Sequence, residues 1–194
     1  MIQVNLVNEQ DEVVGSCDLL DAHRGDGLRH QAISLFLFRQ DCSGTWQLLL
    51  QQRSKHKIVG AGKWANTLCA HPQPGESHLA CLHRRSQEEL GFTCQTDWQA
   101  EEFLTFPYHV RCDEEFSENE IDHLFLIKLD EQEGRDLSLQ PNHQEVAKAA
   151  FVDWSKLLTG KVTCDLAPWF ALFISNSEII QKIDSLLIDK NIEK

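Results

Sequence analysis

Positive charge is scarce in this sequence: 18 Lys and Arg stand against 30 Asp and Glu, a formal net charge of −12 over 194 residues. Such an acid surplus repels nucleic acid and anionic membrane surfaces, so any anionic ligand requires a local basic pocket. No CxxC pair occurs among the seven cysteines, which excludes zinc-finger and small disulfide-framework patterns and fits a reducing cytoplasm. Nothing approaches about 18 consecutive apolar residues. Met1 to Asn5 holds no basic stretch leading into an apolar run, so neither a membrane span nor a secretory leader is expected. Internal repeats, low-complexity tracts and Pro/Ser-rich linkers are also missing. These absences give an expected single cytoplasmic domain over residues 1–194 with no nucleic-acid or membrane partner; a monomer is favoured, and the sequence leaves the oligomeric state open.

What the sequence does hold is apolar bulk: 42% hydrophobic residues, ten Phe and five Trp, enough for a sizeable core. Ile2 to Val7 and Val13 to Cys17 read as a small hairpin, and Asp18 to His23 as a short helix before Gly25-Asp26-Gly27. Ala32 to Phe38 and Trp46 to Gln52 are apolar runs of strand length around a turn-like Asp41 to Gly44. The spacing predicts a helix over Ser77 to Leu90, with Ser77 as N-cap, Leu79, Leu82 and Leu90 apolar, and Gly91 as its stop. Leu104 to Val110, Ile121 to Leu129 and Ala149 to Val152 read as strands. Leu166 to Ile188 is helical, with Asn176 as a break. Strands on both sides of one central helix give an α+β, or mixed α/β, class.

Several constellations have chemical potential. In Asn66 to Pro72, Cys69 and His71 are two residues apart in extended chain and face one side. A thiol near cations or a metal serves in nucleophilic or proton-transfer chemistry, although an inert buried cysteine is the commoner case. Glu118 and Glu120 repeat that spacing, which suits metal binding or acid–base work; nearby Asp113, Glu114 and Glu115 suggest a solvated acidic loop instead. His23 and His30 flank a glycine-bearing loop, and with His71 and the two glutamates they make a five-ligand N/O set for a divalent transition metal. Arg53, Lys55, His56, Lys57 and Lys63 cluster after a strand, and Arg84-Arg85 follow on the helix: either a diphosphate site or a solvated basic loop. Arg84/Glu88 and Arg85/Glu89 are i, i+4 pairs, readable as helix salt bridges or as a carboxylate that carries Mg²⁺ to an anionic ligand.

Together these residues resemble the Nudix superfamily. Its motif lies over Ala70, Glu76, Arg84 and Ser86 to Phe92, but Ala70 replaces a Gly, Arg85 a Glu, and Ser86 a bulky aliphatic residue. A closer resemblance is to the type 1 isopentenyl-diphosphate isomerase family. It is carried by W-x-N-x-x-C-x-H-P at Trp64 to Pro72, E-x-E at Glu118 to Glu120, the His23/His30 pair and Pro168-Trp169. The resemblance implies an α/β/α sandwich with a mixed sheet, an N-terminal hairpin and C-terminal helices, its core at about 28–160 and the helical tail at about 165–190. It also implies a 1,3-allylic proton shift between isopentenyl and dimethylallyl diphosphate through a tertiary carbocation.

By matching positions, Cys69 and Glu120 are the expected acid–base pair, assisted by Tyr108, the sole tyrosine, and Trp169. His23, His30, His71, Glu118 and Glu120 are the expected ligands of a divalent metal (Mn²⁺, Mg²⁺ or Zn²⁺). Arg53, Lys57 and Arg85 are expected to meet the diphosphate, with Glu89 holding its Mg²⁺. The replaced motif glutamate sets this reading apart from a Nudix diphosphohydrolase, and the diphosphate cluster sets it apart from a non-catalytic metal-binding or thiol-sensing module.

Overall fold

Between His30 and Gln40 the chain is apolar on both faces. Phe36 and Phe38 turn one way, Ile33, Leu35 and Leu37 the other, and all are fully buried. A strand of this kind needs cover on both sides. The computed structural model, which describes residues 2–92 and 99–188, supplies it with nine strands and six helices among those residues. In chain order these are β1 (Gln3–Val7), β2 (Val13–Asp18), α1 (Leu19–His23), β3 (His30–Gln40), β4 (Trp46–Arg53), β5 (Trp64–Ala65), β6 (Leu68–Ala70) and α2 (His78–Leu90). Then follow β7 (Glu101–Arg111), β8 (Ser117–Leu129), α3 (Glu131–Asp136), β9 (Val146–Asp153), α4 (Trp154–Leu158), α5 (Pro168–Phe173) and α6 (Ser177–Ile188).

Phe36, Phe38, Leu48 and Leu50 pack against Trp154, Phe170, Phe173 and Ile183 from α4, α5 and α6. Ile33, Leu35, Leu37 and Leu49 pack against Cys81, Leu82 and Leu90 of α2. Each such side chain contributes about 1.5–3 kcal/mol on burial, and the two clusters hold the sheet between helices as an α/β/α sandwich.

β3 is the hub of the sheet. On one edge β8 runs parallel to it, from His30 opposite Glu120 to Arg39 opposite Leu129, and β7 pairs antiparallel with β8. On the other edge β1 meets β3 at His30, β6 meets it at Ile33 to Leu35, and β4 meets it only at Phe38 to Gln40. β4 then pairs with β5 through Gln51 and Gln52, and with β9 along its far edge. β3 and β4 therefore diverge, and residues 64–70 fill the gap between them. That wedge places Cys69 beside the middle of the hub strand, opposite Ser34.

The expected caps of α2 form: Ser77 Oγ accepts from Ala80 N at 3.2 Å, and Gly91 adopts φ 70°, a left-handed conformation that suits glycine. Leu79, expected on the apolar face, is exposed, and Cys81 takes the core position. β8 begins at Ser117, ahead of the expected Ile121, so Glu118 and Glu120 belong to a strand rather than a loop. Asn176 does break the C-terminal helical segment, its Oδ1 accepting from Glu178 N and Ile179 N at the start of α6. The short helices α3 and α4 have too few turns to show a period in sequence. Val162 and Thr163 lie outside any strand. Among the described residues no helix is long and apolar enough to cross a membrane.

Candidate active site and metal centre

A loop clasped to a strand builds the histidine–carboxylate centre. Asp18 caps α1 by accepting from Leu20 N, which leaves His23 on the last turn. The chain returns to His30 through Gly25 (φ 65°) and Gly27 (φ 72°). Ser117 Oγ donates to Gly25 O at 2.7 Å and Asn119 Nδ2 to Gly27 O at 3.0 Å. Because side chains alternate along β8, Ser117 and Asn119 hold the loop while Glu118 and Glu120 point inward. His71, just after β6, completes the set. One ligand atom from each of His23, His30, His71, Glu118 and Glu120 lies within 4.8 Å of all the others.

The donor set fits a metal cation. His23 Nδ1 and His30 Nδ1 lie 2.7 Å from the carbonyls of Leu19 and Leu28, which fixes the proton on Nδ1 and turns both Nε2 lone pairs inward. His30 Nε2 and Glu118 Oε2 are buried and make no well-aligned hydrogen bond among the described residues, although Glu118 Oε2 is 2.8 Å from His23 Nε2 and His30 Nε2 is 3.3 Å from Glu120 Oε1. Inward lone pairs crowded together in a dry site call for a positive charge between them. The protein's own groups respond in the same way. Burial opposes a charged His23, but Glu118 prevails and raises it to about 9; at His71 burial dominates and lowers it to about 3. Burial and Glu120 push Glu118 up, whereas at Glu120 the imidazoles of His30 and His71 overcome burial and hold it well below the usual carboxylate range.

Cys69 lies on the same face of the sheet as Glu120, with its neighbours Leu68 and Ala70 buried in the α2-side core. Its thiol donates to Asn66 Oδ1 at 3.0 Å and accepts from Trp169 Nε1 at 3.2 Å. Asn66 is itself oriented, since its amide donates to the carbonyls of Leu35 and Leu68. Burial, then the charge of Asp122, pushes the thiol up to about 12, so Cys69 retains its proton at neutral pH. Tyr108, buried and likewise raised well above its ordinary value by burial, donates to Glu120 Oε2 at 2.5 Å. Trp169 is 2% exposed and sits against Gly60, where a Cβ would come within 2.8 Å of the indole. Only glycine, here at φ 62°, leaves that ring its place.

A cavity of about 510 Å³ joins these groups: its lining includes His23, Cys69, His71, Tyr108, Glu118, Glu120 and Trp169, and also Arg53, Lys57, Arg84 and Arg85 with Glu88 and Glu145. The basic residues do not stand alone. Arg53 donates to Val59 O at 2.9 Å and lies 5.0 Å from the centre of the Trp169 ring. Lys57 and Arg85 both contact Glu89 and Glu145. Glu89 is fully buried in this cluster, also accepts from Gln51 Nε2, and is not among the five converging ligands. Against its own burial, Glu145 is held down at about 2 by Arg85 and Lys57. Arg84 bonds Glu76 through two contacts of 2.7 Å, and both Arg84 and Arg85 reach Glu88.

Sequence reasoning passed over Ser34, Asp122, Gly60 and Glu145. Ser34 Oγ lies 2.8 Å from Asp122 Oδ2 and 3.5 Å from the Cys69 thiol. The even spacing of Glu118, Glu120 and Asp122 was the available signal for one of them. The others depend on strand register and loop packing, which no local pattern encodes.

A mixed sheet wedged open at residues 64–70, with a capped helix after the wedge and a metal cradle at its mouth, defines a Nudix-type domain. The family model described as NUDIX domain matches residues 28–173. The fold is also that of a Nudix hydrolase from M. smegmatis, with a TM-score of 0.62 and 14% identity over 98% of both chains. An isopentenyl-diphosphate Delta-isomerase of Saccharopolyspora erythraea is 35% identical over 87% of this chain and 82% of its own. The chloroplastic isopentenyl-diphosphate Delta-isomerase I of Arabidopsis thaliana is 34% identical over 88% of this chain, which spans 63% of that protein. The chain belongs to the Nudix family and, within it, to the isopentenyl-diphosphate Delta-isomerases.

Proposed function

We propose that this chain interconverts isopentenyl and dimethylallyl diphosphate by moving a proton across an allylic system. The observation that carries the reading is a thiol, Cys69, and an inward carboxylate, Glu120, lining one cavity together with Arg53, Lys57 and Arg85. In the proposed step the alkene electron pair takes a proton at the terminal carbon, leaving a tertiary cation. Loss of a proton from the allylic carbon returns an electron pair to the carbon skeleton as the new double bond. Cys69 and Glu120 handle these two protons, and each serves in both directions of the reversible reaction. No bond to phosphorus breaks. Tyr108 orients Glu120, and the Trp169 ring shields the cation from water and adds a cation–π contact of about 2 kcal/mol.

A divalent ion held by His23, His30, His71, Glu118 and Glu120 (Mn²⁺, Mg²⁺ or Zn²⁺) would supply charge that keeps Glu120 ionised. We assign the diphosphate to Arg53, Lys57 and Arg85, with Mg²⁺ at Glu89, and the setting to the cytoplasm. Phosphate hydrolysis suits this site less well, because Arg85 stands where the Nudix motif has a glutamate and a hydrolase has no use for Cys69 beside Glu120. With isopentenyl diphosphate and Mg²⁺, the expected product is dimethylallyl diphosphate without phosphate release; stoichiometric phosphate and no isomer would overturn the proposal. Arg53→Ala removes a charge-assisted contact of about 1.5–3 kcal/mol. KM should therefore rise roughly 10- to 100-fold, and an unchanged KM would remove Arg53 from the diphosphate site.

A further inference from the structure

On the face of β8 opposite Glu120, four segments distant in sequence bring together a second group of histidines and carboxylates. His123 Nδ1 lies 2.7 Å from Glu102 Oε1 of β7, and His123 Nε2 lies 2.8 Å from Asp11 Oδ2 in the turn between β1 and β2. His78, the first residue of α2, packs against the His123 ring with centroids 3.8 Å apart and a 38° tilt. One ligand atom from each of His78, Glu102 and His123 falls within 4.8 Å of the other two. None of these residues lines the active-site cavity.

We propose that His78, Glu102 and His123 form a second metal site for a divalent transition ion of the zinc class, with Asp11 as its outer partner. Tetrahedral zinc holds N and O ligands at about 2.0–2.2 Å, so neighbouring ligand atoms stand about 3.4 Å apart. The Glu102–His123 pair already lies inside that spacing, and His78, which is half-buried and stacks on the His123 ring, would have to turn to bring a ring nitrogen from within 4.8 Å to coordination distance. Asp11 supplies the independent observation. With a metal on His123 Nδ1, the ring must carry its proton on Nε2, which faces the Asp11 carboxylate. A carboxylate behind a metal-bound imidazole fixes its tautomer and raises its basicity.

Asp11 is held for this task. It accepts from Gln31 Nε2 at 3.1 Å and is the sole non-glycine residue with positive φ, 62°, among the described residues. The ring nitrogens of His78 make no hydrogen bond among the described residues. Glu102 and Asp11 together balance the charge of a divalent ion, and the partly exposed Glu102 leaves a coordination position to water. The ion would pin the hairpin turn and the start of α2 to β7 and β8, a structural role independent of the isomerase reading.

The test is Zn²⁺ equilibrium dialysis on the whole chain. Wild type should bind one equivalent more than His78→Ala or Glu102→Gln, both partly exposed positions where folding is checked by circular dichroism. Asp11→Asn should keep that equivalent at saturation but bind it about 10- to 100-fold more weakly. Co²⁺ should give a visible d–d band in wild type that His78→Ala diminishes. Equal stoichiometry in wild type, His78→Ala and Glu102→Gln would overturn the site and leave His123 as a ring held between two carboxylates by hydrogen bonds alone. Loss of Zn²⁺ binding by the five-ligand centre in His78→Ala would equally contradict two separate sites.

Discussion

Cys69→Ala is expected to lower kcat by about 10²–10⁴-fold, the usual contribution of a positioned acid–base group, while the chain stays folded. The structure separates these two effects. Removing the thiol deprives Asn66 Oδ1 and Trp169 Nε1 of a partner, a cost of about 1–3 kcal/mol against a total stability of about 5–15 kcal/mol for a domain. A variant that melts somewhat earlier yet retains its circular dichroism spectrum and binds substrate with a near-normal KM is therefore the predicted outcome. Steady-state kinetics at saturating substrate provide the check, and a wild-type kcat would remove Cys69 from the mechanism.

Glu120→Gln carries the other large effect. The amide keeps the shape of the side chain and can still accept from Tyr108, but it cannot take up a proton and offers a metal no charge. Turnover should again fall by about 10²–10⁴-fold or more, together with a loss of bound metal, since Glu120 is one of the two carboxylates among the five converging ligands. Saturating Mn²⁺ or Mg²⁺ separates the two duties: if Glu120 handles a proton, occupancy recovers and the rate does not. Full recovery of the rate with metal would confine Glu120 to ligation.

How far the sequence foretold these positions depended on how locally each was encoded. Alternation placed Glu118 and Glu120 on one face, and the Cys69/His71 spacing did the same beside them, because a strand's period of two is written in the chain itself. Caps were equally readable: Ser77 and Gly91 bound α2, and Asn176 begins α6. Leu79 shows the limit, since helical spacing allowed it a core position that packing gave to Cys81. Pairing across strands left no such trace. That Ser34 lies opposite Cys69, that Glu145 joins Lys57 and Arg85, and that Gly60 makes room for Trp169 follow from register and long-range packing. The same holds for Asp11, His78, Glu102 and His123, which share no motif and meet only in the folded chain.

The central claim is that a proton is added at one carbon and removed at another while the diphosphate stays whole. Turnover of isopentenyl diphosphate in D₂O, followed by NMR, tests it most directly. The expected product is dimethylallyl diphosphate carrying deuterium in the methyl group formed from the terminal alkene carbon, with no inorganic phosphate released. Phosphate release with an unlabelled hydrocarbon chain would contradict it.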